Sequence, residues 1–237
     1  PETSRYVEKD LRSQGVNVML NTEGKEFVGE EYIEGLLTTD GQRLTADIYI
    51  AATGVKPSID FIKNTDIEYR YGIVVNEKLQ TKYPYIYACG DVAETIELVS
   101  EESKIQGLYP TARNHGTTVG YNILGMERDY QQQTNMNSLK KLGFKLIVVG
   151  KQEGEEIKYK TENVLRKIYI KDDKLVGFVL LSDISNAGIY LSLFTKRTNV
   201  SKFKHHLLSK HFNIGFFAGS PGFLASSRFS DALPLVR

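Results

Sequence analysis

Residues 83–94 read YPYIYACGDVAE, a run of aromatic and branched residues that ends in a Gly-Asp pair. The apolar run suits a short strand, and the stretch after Asp91 reads as the start of a helix. An aspartate at such a junction has two uses. Its carboxylate can accept nearby backbone N–H groups as a cap or turn. It can also stand at a strand end, where α/β sheets hold ligands and where helix N–H groups face an anionic or polar group. Turn formation is the default, and the surrounding chain decides between the two.

Composition sets the outer bounds. The 237 residues are 41% hydrophobic and 25% charged, ordinary for a globular chain with room for one large domain or two modest ones. Lys and Arg number 30 against 29 Asp and Glu, a net charge of +1, so no nucleic acid or acidic membrane is expected as partner. Cys89 is the single cysteine, which excludes an intrachain disulfide or a cysteine-built metal site and suits a reducing, cytoplasmic setting. No apolar run approaches the ~18 residues a membrane-spanning helix needs. The opening PETSRYVEKDLRSQG has no apolar core for a signal peptide and lacks an initiator methionine, so the chain reads as a fragment.

Upstream of the Gly-Asp pair, Thr3 or Ser4 is expected to cap a helix that Gly15 ends. Strands are expected at VNVMLN (16–21) and EYIEGLLTTDG (31–41), with a turn at Asp40-Gly41, and a buried one at ADIYIAATG (46–54). SIDFIKNT (58–65) reads as a helical turn, IVVNEKLQT (73–81) as strand-like, and GLYPTARNHGTTVGYNILG (107–125) as a helix. The polar stretch 127–135 marks a boundary. Beyond it, three or four antiparallel strands turn at Gly154, Asn163 and Asp172-Asp173. The segment SDISNAGIYLSLFTKR (182–197) then places Ile184, Ala187, Gly188, Leu191 and Phe194 on one helix face to cover that sheet.

Two landmarks together carry a resemblance: AATGVKP (51–57), and some thirty residues later TKYPYIYACGDVAE (81–94). The pair resembles the carboxyl-terminal portion of FAD-dependent pyridine nucleotide-disulfide oxidoreductases, in the branch of NADH:rubredoxin oxidoreductases, NADH oxidases and nitrite-reductase-like enzymes. The resemblance implies an α/β chain: a truncated FAD/NAD(P)-binding Rossmann-like portion followed by a small α+β carboxyl-terminal domain. It implies a remnant of the NAD(P)-binding domain over 1–53, the end of the FAD-binding domain over 54–127 and the small domain over 136–210. Residues 211–237 form a tail of unknown role. Asp91 matches the carboxylate that binds a ribitol hydroxyl of FAD, and Gly90, Thr53, Gly54, Val92 and Pro110 complete the implied cofactor-binding set. An ionised carboxylate accepting from a hydroxyl contributes ~1.5–3 kcal/mol, and a glycine beside it admits a ligand to the backbone.

The departures from the family pattern bear on function. Dinucleotide sites need a Gly-x-Gly-x-x-Gly turn, and nowhere in this chain does a single residue separate two glycines. FAD and NAD(P)H are expected of the complete enzyme, with none bound in this chain as the alternative. A ribitol contact alone does not offset the ~4 kcal/mol or more that immobilising a cofactor costs. Electrons would pass from NAD(P)H through FAD to a small redox protein or oxygen, with the isolated chain inactive; the alternative is a non-catalytic interaction or oligomerisation module on the same scaffold. Partners are then a missing amino-terminal half or an electron acceptor, and open sheet edges favour homo-oligomers. Neither catalytic nor metal-binding residues are assigned. Cys89 reads as a small buried residue, His115 as a packed one, and His205, His206 and His211 as a solvated basic face without acidic or cysteine ligands.

Overall fold

A computed structural model describes residues 2–134, 136–139, 143–209 and 211–217. The chain divides into two units, Pro1–Lys56 and Pro57–Arg237. In the first, α1 (Glu2–Ser13) opens at Glu2, so Thr3 and Ser4 lie inside its first turn and do not cap it. Glu2 near the positive end and Arg12 near the negative end complement the helix dipole. Gly15, at φ +85°, then lets the Val16 N–H reach back to the Leu11 carbonyl at 3.0 Å.

The strand expected over 16–21 is absent, and an antiparallel meander forms just beyond it. β1 (Gly24–Val28), β2 (Gly35–Thr38) and β3 (Arg43–Leu44) pair in that order, with Phe27 opposite Leu36 and Leu37 opposite Arg43. The Asp40-Gly41 turn stands where expected: Gly41, at φ +88°, donates its N–H to the Thr38 carbonyl at 3.0 Å. The buried strand expected over 46–54 does not form. Ile48 and Ile50 are 77% and 84% exposed. Apolar alternation supplies a face, but a strand also needs a neighbour for its N–H and C=O groups, and among the described residues none pairs with this stretch.

In the second unit a 3-10 turn at Asp60–Ile62 answers the expected helical turn. Ile59 and Ile62 pack with Ile73, Ala88 and Ala93 in a small core. The sheet here is short: β4 (Ile73–Val74), β5 (Ala93–Ile96) and β6 (Ser103–Ile105), with β4 and β5 parallel and β5 and β6 antiparallel. Two expectations fail at this point. Residues 83–89 form no strand beyond a single bridge from Tyr87 to Gln80, and Asp91 is followed by β5 instead of a helix. Pairing decides the matter, because Ala93 and Glu94 find Ile73 and Ile105 as partners and this outweighs a local helix signal. The expected helix follows as α2 (Tyr109–Ile123). Polar residues 127–134 are tied to this unit: Tyr130 is buried against Leu79 and Val119, and the Gln133 side chain accepts the Thr111 hydroxyl at 3.0 Å.

The carboxyl-terminal sheet has five antiparallel strands, more than expected: β7 (Met136–Leu139), β8 (Leu146–Gly150), β9 (Glu155–Lys160), β10 (Leu165–Lys171) and β11 (Lys174–Leu181), ordered β7-β8-β11-β10-β9. Asp172 and Asp173 both take positive φ in the hairpin between β10 and β11, as a two-residue primed turn requires. β8 and β11 approach closely at Gly177, where a Cβ would lie 2.0 Å from the Lys151 carbonyl oxygen. One face is covered by α3 (Ala187–Thr195), which buries Tyr190, Leu193 and Phe194 and leaves Gly188 exposed. The buried stripe is thus rotated from the expected one. With Phe178, Leu180, Leu207 and Phe212 these residues form the main core, each large side chain contributing ~1.5–3 kcal/mol. Residues 218–237, most of the expected tail, lie outside the described residues.

Candidate cofactor site

Gly90, Asp91 and Val92 form a single 3-10 turn between the extended Cys89 and β5. Gly90 sits at φ +75°, a conformation that disfavours side chains even though its Cβ position is open, 3.9 Å from the Ala112 Cβ. The turn lies on the flank of α2, where the Gly90 N–H donates to His115 Nδ1 at 3.2 Å. Asp91 is exposed. Its carboxylate makes no hydrogen bond among the described residues, so it neither caps the turn nor closes it. The neighbouring acid behaves differently: Glu94 is buried and accepts the Gly72 N–H at 3.1 Å, which ties it to the β4 edge.

The first turn of α2 adds N–H groups to the same unit. Leu108, its N-cap, supplies no side-chain cap, and Pro110 occupies the start of the helix, where a missing N–H costs least. Tyr109 and Pro110 are exposed. Thr53 and Gly54 belong to the first unit, where both are exposed and Gly54 takes φ +105°. Val92 is half-buried against the small core around Ile73 and Ala93. Cys89 is exposed, not buried as expected, because the chain at 89 is extended and unpaired, with Ala88 before it filling the core.

Electrostatics distinguish His115 from Asp91. His115 is fully buried, and burial lowers its pKa, opposed by the Asp91 charge. Its ring meets Tyr130 edge to face at 4.4 Å. Burial pushes the Tyr130 hydroxyl up to about 12. A cavity of about 40 Å³ beside Tyr130, lined also by Val75, Thr95 and Gln132, is too small for a cofactor. The histidine's hold on Gly90 leaves no mark in the sequence, since a buried helical histidine reads as packing. Among the described residues no cluster of three His, Cys, Asp or Glu side chains suits a metal ion, and no helix is long and apolar enough to cross a membrane.

Solved structures share the fold. A NAD-dependent persulfide reductase from A. fulgidus superposes with a TM-score of 0.74 at 21% identity, over 83% of this chain and 41% of that one. The fold is the mixed α/β fold of FAD- and NAD-binding oxidoreductases. Residues 1–116 match the family model "Pyridine nucleotide-disulphide oxidoreductase". The chain is 34% identical to an NADH oxidase of Methanocaldococcus jannaschii, over 60% of this chain and 32% of the relative. It is 32% identical to an NADH-rubredoxin oxidoreductase of Clostridium acetobutylicum, over 61% of this chain and 38% of the relative. The chain thus spans about a third of these curated relatives.

Proposed function

We propose that this chain is the carboxyl-terminal part of a flavin-dependent NAD(P)H oxidoreductase and that Asp91 holds a ribitol hydroxyl of FAD. The observation that carries the reading is the Asp91 carboxylate, exposed at the tip of a left-handed glycine turn with no protein partner among the described residues. An ionised carboxylate so placed is an acceptor awaiting a donor. An exposed acceptor beside a glycine whose Cβ position is open supports a polyol chain as its ligand. Gly90 and Val92 shape the turn, and Pro110 and the uncapped first turn of α2 offer backbone dipoles nearby. Thr53 and Gly54 are assigned to the same cofactor by resemblance. When bound, FAD supplies the hydride and electron chemistry; this chain's residues orient it.

The pyrophosphate turn is missing from the sequence, so FAD binds this chain weakly and the isolated polypeptide does not oxidise NAD(P)H. Domain limits follow the resemblance: NAD(P)-binding remnant 1–53, FAD-binding end 54–127, small domain 136–210 and tail 211–237. The acceptor is a small redox protein or oxygen, in line with the rubredoxin named in one relative. The setting is cytoplasmic. A second reading, an interaction or oligomerisation module, is favoured by the exposed Ile48, Ile50 and Val55, which give the first unit an unpaired apolar stretch. Adding FAD together with a chain that carries the Gly-x-Gly-x-x-Gly half separates the two. Flavin absorbance that NAD(P)H bleaches supports the oxidoreductase, and complex formation without flavin retention supports the module.

A further inference from the structure

The His115 imidazole is fully buried on α2, yet among the described residues only one of its nitrogens has a partner. Nδ1 receives the Gly90 N–H at 3.2 Å, while Nε2 has none among the described residues. A backbone amide can only donate, so Nδ1 is unprotonated and Nε2 carries the proton. A buried N–H without an acceptor is destabilising, and an apolar side chain would not carry that penalty. What the imidazole adds is an acceptor, directed at the residue immediately before Asp91. No side chain caps the turn at Cys89, and its remaining cap bond runs from the Ala93 N–H to the Gly90 carbonyl, within the turn itself. The His115 bond is therefore the hydrogen bond that ties the Gly90 amide to α2.

We infer that His115 is a positioning residue: as a neutral imidazole it pins Gly90 to α2 and thereby fixes how Asp91 presents its carboxylate to a flavin ribitol. This rests on the proposed role of Asp91, although the tether exists independently of it. Protonation turns Nδ1 into a donor facing another donor, so acid opens the tether. Burial by α2 and by the Tyr130 segment opposes that protonation, the Asp91 charge favours it, and Tyr130 stays neutral throughout the acid range. FAD held through Asp91 is accordingly released as His115 takes up its proton on acidification.

NMR of the isotope-labelled chain tests the inference. At neutral pH a through-hydrogen-bond coupling between the Gly90 nitrogen and His115 Nδ1 is expected, with the ring proton on Nε2. A proton on Nδ1, or no coupling, overturns it. His115→Asn keeps an acceptor at the δ position, and His115→Leu removes it. In the Leu variant the Gly90 amide should exchange about ten-fold faster. Millimolar FAD should shift the Asp91 signal with about five-fold weaker affinity, the size of one hydrogen bond. The Asn variant should restore both. A Leu variant indistinguishable from wild type overturns the inference, and if that variant unfolds, loss of the wild-type coupling on acidification carries the test. Coupling without any FAD-induced shift at Asp91 rejects the flavin reading and leaves the tether standing; a shift without coupling does the reverse.

Discussion

Arg166 is the most buried charge of the carboxyl-terminal sheet, and its replacement by alanine or methionine separates the two parts of its contribution. Its side chain, 6% exposed, meets Asp183 at 3.1 Å. It also donates to the Ser185 carbonyl at 3.1 Å and to the Tyr190 hydroxyl at 2.7 Å, while Nε has no partner among the described residues. Removing the guanidinium forfeits two hydrogen bonds of ~1 kcal/mol each and an ion pair of ~0.2–1 kcal/mol, since Asp183 is 35% exposed and stays hydrated. Against this, a partly unsatisfied guanidinium no longer has to leave water, and the Tyr190 hydroxyl keeps the Leu207 carbonyl at 2.5 Å. Arg166→Met therefore destabilises by about 0–2 kcal/mol. Arg166→Ala also loses the two buried stem methylenes beyond Cβ at ~0.8 kcal/mol each and leaves a void, for a total of about 2–5 kcal/mol. Urea unfolding followed by circular dichroism and tyrosine emission, in a chain without tryptophan, measures both. If methionine costs as much as alanine, the polar network and not stem packing holds α3 to the sheet, and the reasoning fails.

Further outcomes follow from single contacts. Gly177→Ala places a Cβ 2.0 Å from the Lys151 carbonyl oxygen, a backbone atom that cannot swing aside, and should cost ~2 kcal/mol or more in the same assay; a change within ~0.5 kcal/mol contradicts the close β8–β11 approach. Burial lowers the folded-state pKa of His115, so the unfolded chain takes up the proton first as pH falls. Its stability contribution is complete above the unfolded value of about 6.5 and is lost as pH falls through the lower folded value. His115→Asn should flatten the melting temperature across that window, and an unchanged slope refutes it. Tyr130 works in the opposite direction. With its hydroxyl held near about 12, one tyrosine should ionise last in an alkaline spectral titration and vanish in Tyr130→Phe, with stability falling from pH ~10 upward.

Legibility in the sequence followed how local each determinant is. The helices α1, α2 and α3, and the turns at Asp40-Gly41, Gly154 and Asp172-Asp173, announce themselves through periodicity and positive-φ residues. Strands 16–21 and 46–54 carry the right alternation and still do not form, because pairing depends on a neighbour that alternation cannot specify. The misplaced helix after Asp91 has the same origin, with β5 stabilised by Ile73 and Ile105 from distant positions. At the site, Gly90 and Asp91 stood out because glycine and a short acid are unusual together at a strand-like end. His115 did not, since its tie to Gly90 crosses 25 residues and exists only in the folded chain.

Amide and carboxyl chemical shifts of Gly90, Asp91 and Val92 during titration with millimolar FAD test the central claim most directly, because they register even weak contact at the named atoms. The account predicts progressive shifts confined to this turn and the first turn of α2, abolished in Asp91→Ala and retained in a surface variant such as Lys158→Ala. Shifts that persist without the Asp91 carboxylate, or none at saturating flavin, contradict it.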